Sequence, residues 1–328
     1  MKIPIDVLKG TTLQVLRYSG YPQEEAEVIL DVLMYAQLRG NNQGIVKLIG
    51  AGMPRDTTAD VINIVRETEL SVLLDGARNS GMVVMTHALD LALEKARQRG
   101  FGIVGTRNTN SSTGAIGYYA SRAANAGYIG LMFSGSGEYV AMHGSYEPIL
   151  GTNPLAFGIP TADTPIVFDM ATSAIARYGI VEAQTAGRSI ADDVAYDRNG
   201  NQTNDASAAL AGAIRTFGGY KGAALSFLVE VLTHVLVGTV SDENGHKTDW
   251  GNLVIVIDPA LLSDKNMFIE RIGKLVKRLK NAKRLPGVDA ILVPGERGNQ
   301  IYEAIMKAGV VEVEDRLWTA LQKAANHG

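Results

Sequence analysis

The chain has 328 residues, 46% of them apolar, with a formal net charge of −3 and no cysteine. That length and apolar share are enough for a substantial hydrophobic core, and the near-neutral charge gives no basis for nucleic acid or an anionic membrane as a partner. The missing thiols exclude disulfides, cysteine nucleophiles and thiolate metal sites. Met1 to Asp6 form no apolar signal core and no uncharged apolar run is long enough for a bilayer, so a cytoplasmic protein is expected. Asn110-Ser111-Ser112 and Asn201-Gln202-Thr203 fit the glycosylation pattern, which without a leader reads as chance.

In chain order, Val7, Leu8, Leu13, Val15 and Leu16 mark a first helix. Pro22 opens a second, in which Ala26, Ile29, Leu30, Leu33 and Met34 recur at helical spacing until Gly40. Ser71 to Gly76 reads as a strand and turn, Met82 to Gln98 as a helix stopped by Gly100, and Gly102 to Thr106 as a short strand. A helix is expected from Gly114 to Ala126, and a buried strand from Tyr128 to Phe133. From Gly135 to about Asn204 the chain reads as short strands with long turns. Gly222 to Val237 predicts an apolar helix belonging to the core, and Leu253 to Ile257 a strand. Met267 to Leu279 is amphipathic, with Lys274, Lys277, Arg278 and Lys280 as a solvated face. Strands are expected at Ala290 to Val293 and Val310 to Val313, and a last helix from Asp315 to Ala325. Strand–helix alternation fails through the middle, which points to an α+β fold over a doubly wound sheet.

Several motifs fail on inspection. Gly135-Ser136-Gly137-Glu138-Tyr139-Val140 starts like a dinucleotide fingerprint but lacks the third glycine and a following helix. Gly218-Gly219-Tyr220-Lys221-Gly222 has its lysine before the last glycine and no Ser or Thr in the magnesium position of a phosphate loop. His87, His143, His234, His246 and His327 show no metal-ligand spacing; His234, within an apolar helix, reads as a hydrogen-bonded core residue. No Gly-x-Ser-x-Gly elbow occurs. On patterns alone the chain is an α+β protein with a small-molecule site.

A set of segments running nearly end to end carries a resemblance. These are Arg39 to Lys47, Gly114 to Tyr119, Gly151 to Phe157, Phe168-Asp169-Met170-Ala171-Thr172-Ser173, Phe217 to Gly222 and the Val293-Pro294-Gly295-Glu296-Arg297 turn. In this order and spacing the chain resembles the type-2 malate/L-lactate dehydrogenase-like oxidoreductases. His143-Gly144, Pro165 to Ala176 and Gly218 to Glu230 look most like its Δ1-piperideine-2-carboxylate/ketimine reductase branch. The resemblance implies an L-sulfolactate dehydrogenase-like fold: a helical N-terminal region over 1–66, then an α/β region over 67–328. Within that region a largely antiparallel, non-Rossmann NAD(P)-binding part spans about 110–250, and a C-terminal part returns to the N-terminal helices. It also implies NADH or NADPH as cofactor, a small carboxylate-bearing substrate and a homodimer, and no metal is called for. Carried over by motif, the cofactor contacts are Ser136, His143, Asp169, Met170, Ala171, Lys221, Gly222, Gly295, Glu296 and Arg297. A lysine beside a glycine allows close approach to a phosphate, and turn amides bind phosphate oxygens. Lys221 also reads as a plain surface charge, and Thr152-Asn153-Pro154 as ordinary turn chemistry.

The pattern breaks at the chemistry. The family's catalytic Ser and His fall on Asn42 and Gln43, its Asp on Gly179 with Tyr178 replacing a glycine, and its second histidine on Ser112. Lys47 stands where an Arg often meets the substrate carboxylate, keeping the charge but losing the fork. Cofactor motifs survive while acid and helpers change together, which reads as a retained nucleotide site with a remodelled reaction pocket. A positioned acid speeds ketone reduction by about 10²–10⁴-fold, whereas an iminium arrives already protonated and mainly needs alignment. The expectation is therefore an NAD(P)H-dependent reductase of a cyclic or N-substituted 2-imino acid. In it Lys47 and Ser112 contact substrate, Asn42 and Gln43 shape the pocket, and Tyr178 is either a substitute acid or a ring filling space. Two alternatives stay open: a catalytically silent nucleotide-binding homologue, and a malate- or lactate-type 2-hydroxy-acid dehydrogenase with a non-histidine acid.

Overall fold

The computed structural model describes residues 1–50 and 52–326; His327 lies outside them. Its centre is a seven-stranded sheet ordered Asn63–Glu67, Ser71–Asp75, Phe101–Thr109, Trp250–Ile257, Ile129–Ser134, Leu155–Ile159, Ile166–Met170. Only Ser71–Asp75 and Phe101–Thr109 run parallel; the other neighbours are antiparallel. The parallel pair needs a crossover, which the helix Gly81–Arg99 provides. Ser80 caps it by accepting from the Met82 amide, and Gly100, at φ +78°, ends it. The sheet is thus largely antiparallel and non-Rossmann, as the α+β reading implies.

The run Trp250–Ile257 occupies the middle of the sheet because it is apolar on both faces, with Leu253, Val254 and Val256 buried. Gly81–Arg99 and Gly117–Asn125 lie on the sheet, and the N-terminal helices Ile5–Tyr18 and Gln23–Gln37 join the same core, which runs from Ile3 to Ala325. The two ends of the chain meet: Lys2–Pro4 pairs antiparallel with Val310–Glu312, and the helix Asp315–Asn326 packs on Ile5–Tyr18. A second, smaller core gathers Val140, Leu150, Ile180, Val194 and Ile214 around short strands and the helices Arg177–Ala186 and Ala206–Ala211.

The structure corrects several expectations. Gly135 to Asn204 is more than strands and turns, since it contains the helix Arg177–Ala186; with Gly179 inside it and only Ile180 and Ala183 buried, it shows little apolar periodicity. The helix Glu296–Ala308 was not among the expected elements; no residue of it is buried, and its short stripe of Ile301, Tyr302 and Ile305 is only half covered against the core. Ala290 to Val293 is not a strand. The Ile166–Met170 edge beside it meets the Gly295 turn instead, where φ of +89° swings the chain into the next helix. The expected helix from Gly222 runs as Tyr220–Glu230 and continues as the wider π turn Val231–Val235. It is not all core: Gly222, Ala223, Ser226 and Val229 face inward, while Phe227, Val235 and Leu236 are each about 60% or more exposed. His234 is hydrogen-bonded to Thr239 and Ser241, as expected. Among the described residues no helix is long and apolar enough to cross a membrane, and no cluster of three metal-ligating side chains occurs.

Candidate active site

The chain turns sharply after Gln37. Its side-chain oxygen accepts from the Ile45 amide at 3.1 Å, and a Cβ on Gly44 would lie 3.0 Å from that of Gln37, so this hairpin needs glycine there. The following short 3₁₀ turn, Ile45–Leu48, is buried along its whole length, which drives Lys47 inward. A cavity of about 220 Å³ opens where this turn meets the Ser112 loop, the ends of the sheet strands and the start of the Arg177 helix.

Lys47 is 1% exposed. Its Nζ donates to Ser112 Oγ at 2.8 Å and lies 3.5 Å from the centroid of the Tyr178 ring. No carboxylate among the described residues acts on it, and burial alone holds its pKa well below the usual 10.5. Tyr178, by contrast, is pushed above its usual 10 by burial, so its hydroxyl is the weaker proton donor and its ring is what Lys47 meets. Gln43 Nε2 donates to Asn42 Oδ1 at 3.2 Å, and a Cβ on Gly179 would lie 2.7 Å from Asn42 Nδ2. The altered positions therefore form two touching sets, Lys47–Ser112–Tyr178 and Asn42–Gln43–Gly179, joined by the Tyr178–Gly179 bond, and all but Gly179 line one cavity.

A second cavity, of about 420 Å³, adjoins the first and shares Asn41, Asn42 and Asp169 with it. Asp169 accepts from the Gly117 amide at 2.8 Å, which places a carboxyl at the N-terminus of the Gly117–Asn125 helix. Burial, only partly offset by that bond, raises its pKa to about 6. A Cβ on Gly117 would stand 3.1 Å from that of Asp169, so the approach depends on glycine. Arg39, between the Tyr35 and Tyr302 rings at 4.0 and 4.5 Å, lines this cavity and leaves its buried Nε without a hydrogen bond. Gly295 and Arg297 line it too.

Of the residues expected from the sequence, Asn42, Gln43, Tyr178, Lys47, Ser112, Ser136, Met170 and Ala171 thus border the first cavity, and Asp169 borders both. Ser136 Oγ also accepts from the Thr152 amide at 3.0 Å, so it shapes its own turn. Four candidates stand apart. Lys221 is exposed, and Gly222 is packed on the Phe217 carbonyl at the start of its helix. His143 is exposed beside Gly219. Glu296 turns away to pair with Lys280 and to accept from the Val293 amide at 3.0 Å. In the Thr152-Asn153-Pro154 turn, Thr152 and Pro154 line the cavity. Asn153 instead faces a buried network, donating to Glu230 at 2.8 Å.

Residues not singled out from the sequence also line the first cavity, notably Arg177, whose guanidinium lies 3.9 Å over the Tyr139 ring. Arg39 in the second cavity is another, and only its place beside the altered Asn41–Gln43 loop could have flagged it. The site can hold an anionic small molecule against two cations, Lys47 and Arg177. It adjoins a groove whose arginines suit phosphate oxygens.

Comparisons with known proteins show what the chain is similar to. The family model described as malate/L-lactate dehydrogenase matches residues 3–322. The malate/(S)-sulfolactate dehydrogenase of Methanothermus fervidus is 34% identical, over 97% of this chain and 95% of its own. The Δ1-pyrroline-2-carboxylate/Δ1-piperideine-2-carboxylate reductase of Pseudomonas putida is 30% identical over the same shares. The crystal structure of malate dehydrogenase from Entamoeba histolytica superposes with a TM-score of 0.87 at 28% identity, over 99% of this chain and 97% of that one.

Proposed function

The chain belongs to the malate/L-lactate dehydrogenase family, and from that premise we propose that it is an NAD(P)H-dependent oxidoreductase that reduces a small, carboxylate-bearing imine. The observation that carries this reading is the pair of adjoining cavities. The smaller is lined by non-titrating Asn42 and Gln43 and by the basic side chains of Lys47 and Arg177; the larger presents Arg39 and Arg297. The residues fit a dinucleotide, since Arg39 Nε is buried with no partner of its own and can serve a phosphate. Asp169, which lines both cavities, and Met170, Ala171 and Ser136 in the first would help to hold the dinucleotide. The bound dihydronicotinamide supplies the hydride. The chain's own part is to align a planar substrate, neutralise its carboxylate and exclude water.

A second reading, a 2-hydroxy-acid dehydrogenase, is favoured by the titratable amine of Lys47 in the same cavity and by the higher identity to the malate/sulfolactate enzyme than to the imine reductase. Titration with NADH and with NADPH, followed by nicotinamide fluorescence, is expected to saturate with at least one of them. Binding of neither overturns the oxidoreductase reading. Turnover of cyclic 2-imino acids well above that of 2-oxo acids supports the first reading and the reverse supports the second. Binding with no turnover of either class leaves a silent nucleotide-binding protein.

The exposed apolar face of the helix from Tyr220, with Phe227, Val235 and Leu236, supports self-association into a homodimer, because a patch of this kind is seldom left to water. Phe227→Glu leaves the inward residues Gly222, Ala223, Ser226 and Val229 in place. It should convert a dimer to a monomer by light scattering at micromolar concentration; a wild-type protein already monomeric there would refute the homodimer.

A further inference from the structure

We infer that Lys47 is the proton donor of this site, delivering a proton from Nζ to the substrate atom that takes up the electron pair, while Arg177 holds the carboxylate. This rests on the oxidoreductase reading and deepens it. The geometry carries it. Lys47 is a fully buried amine whose ammonium form has three N–H groups, of which one is spent on Ser112 Oγ at 2.8 Å. The Tyr178 ring closes one side at 3.5 Å, and the remaining direction is the cavity. It has no acidic partner among the described residues, unlike Lys95 and Lys247, whose Nζ atoms are bound by Glu67 and Glu230. The other titratable or charged groups facing this space are Tyr139, Asp169, Arg177 and Tyr178. Asn42 and Gln43 cannot titrate. Arg177, resting on Tyr139, offers a planar fork better matched to a carboxylate than an ammonium is.

The step balances simply. A bound dihydronicotinamide would supply the hydride that forms the new C–H bond at the substrate C2, and the π pair of C=N or C=O would move to the heteroatom. Where the substrate is a ketone or an unprotonated imine, that atom would take a proton from Lys47, which is left as a neutral amine and is reprotonated from solvent; an iminium already carries that proton. Burial makes the ammonium more acidic, which favours the transfer. Reduction needs charged Lys47, so its rate should fall as pH rises through this lowered pKa, and the reverse oxidation should rise over the same range.

The test uses the full-length protein. Lys47→Arg keeps the charge but cannot donate near neutral pH. It should lower kcat by about 100-fold or more, leave KM within about threefold, and abolish the high-pH limb of the rate profile. Lys47→Ala should regain part of the lost rate with added ethylamine but not with tetramethylammonium, which carries charge without a proton. Independently of turnover, a ¹³Cε-lysine resonance missing from the Lys47→Arg spectrum should titrate well below 10.5. Full kcat in Lys47→Arg, equal rescue by both cations, or a resonance titrating at the ordinary lysine value overturns the assignment. Those outcomes with nucleotide binding intact remove only the role of Lys47, whereas failure of the wild-type protein to bind NADH or NADPH removes both readings.

Discussion

Gly158→Ala is expected to destabilise the protein by about 3 kcal/mol or more, the size of a severe core defect. Gly158 lies in the strand Leu155–Ile159 under the helix Gly117–Asn125. A Cβ there would overlap the Ala120 carbonyl oxygen, lie 2.7 Å from its carbon and stand 3.2 Å from the Ala124 Cβ. The obstacle is helix backbone, so no rotamer relieves it and the whole helix must lift. Gly130 on the neighbouring strand has the same role, its added Cβ falling 2.7 Å from that of Ala123. Two glycines and three alanines therefore let the helix sit close on the sheet. That closeness brings the Gly117 amide to Asp169, so nucleotide binding should weaken with stability. Gly10→Ala is the control. It lies inside Ile5–Tyr18 with nothing within 4 Å of the new methyl, and should gain about 0.5–1 kcal/mol. Urea denaturation followed by circular dichroism measures both, and a Gly158→Ala midpoint equal to wild type would sink the argument.

Asp169→Asn should raise stability at pH 7 by about 2 kcal/mol and weaken nucleotide binding. The folded pKa of Asp169 is about 6, against 3.8 for the free group. The sign follows directly. Between those values the folded state holds a proton that the unfolded state has lost, so Asp169 makes stability fall as pH rises from about 4 to 6, and the loss persists above. A shift of about two units is worth at most about 3 kcal/mol, reduced because the carboxyl borders cavities. The amide removes the buried charge yet can still accept from Gly117. Denaturation midpoints at pH 4 and pH 7 give the test: the gain should appear at pH 7 and vanish at pH 4. A variant weaker than wild type at pH 7 would show that the ionised carboxyl stabilises the fold. A carboxyl kept where it costs stability fits a group retained for binding.

Much of the fold was legible because its signals are local. The stripes Val7 to Leu16 and Ala26 to Met34, the Gly100 stop after Gly81–Arg99, and the apolar run Leu253 to Ile257 each announce their element within a few residues. Ala290 to Val293 has the composition of a strand and lacks a partner, and pairing is not a local property. The helix from Tyr220 has the composition of core, but one apolar face is left outside by what the rest of the chain does not cover.

The site divides in the same way. Sequence alone determined the family, by the order of its motifs, and showed that Asn42, Gln43, Gly179 and Ser112 cannot perform the usual proton chemistry. It determined nothing about how those changes relate in space. Tertiary packing decided that Asn42, Gln43 and Ser112 share one cavity with Lys47 and Tyr178, that Lys221 and Glu296 stand outside it, and that Arg177 stands within it. Above all it decided the character of Lys47. In the sequence this residue is a lysine at a position where the family often has a carboxylate-binding arginine, and nothing there says that it is buried. Only removal from water, with a serine hydroxyl and an aromatic face for company, makes it a stronger acid than an exposed lysine. Desolvation comes from everything around a group, and so it is written in no one segment of the chain.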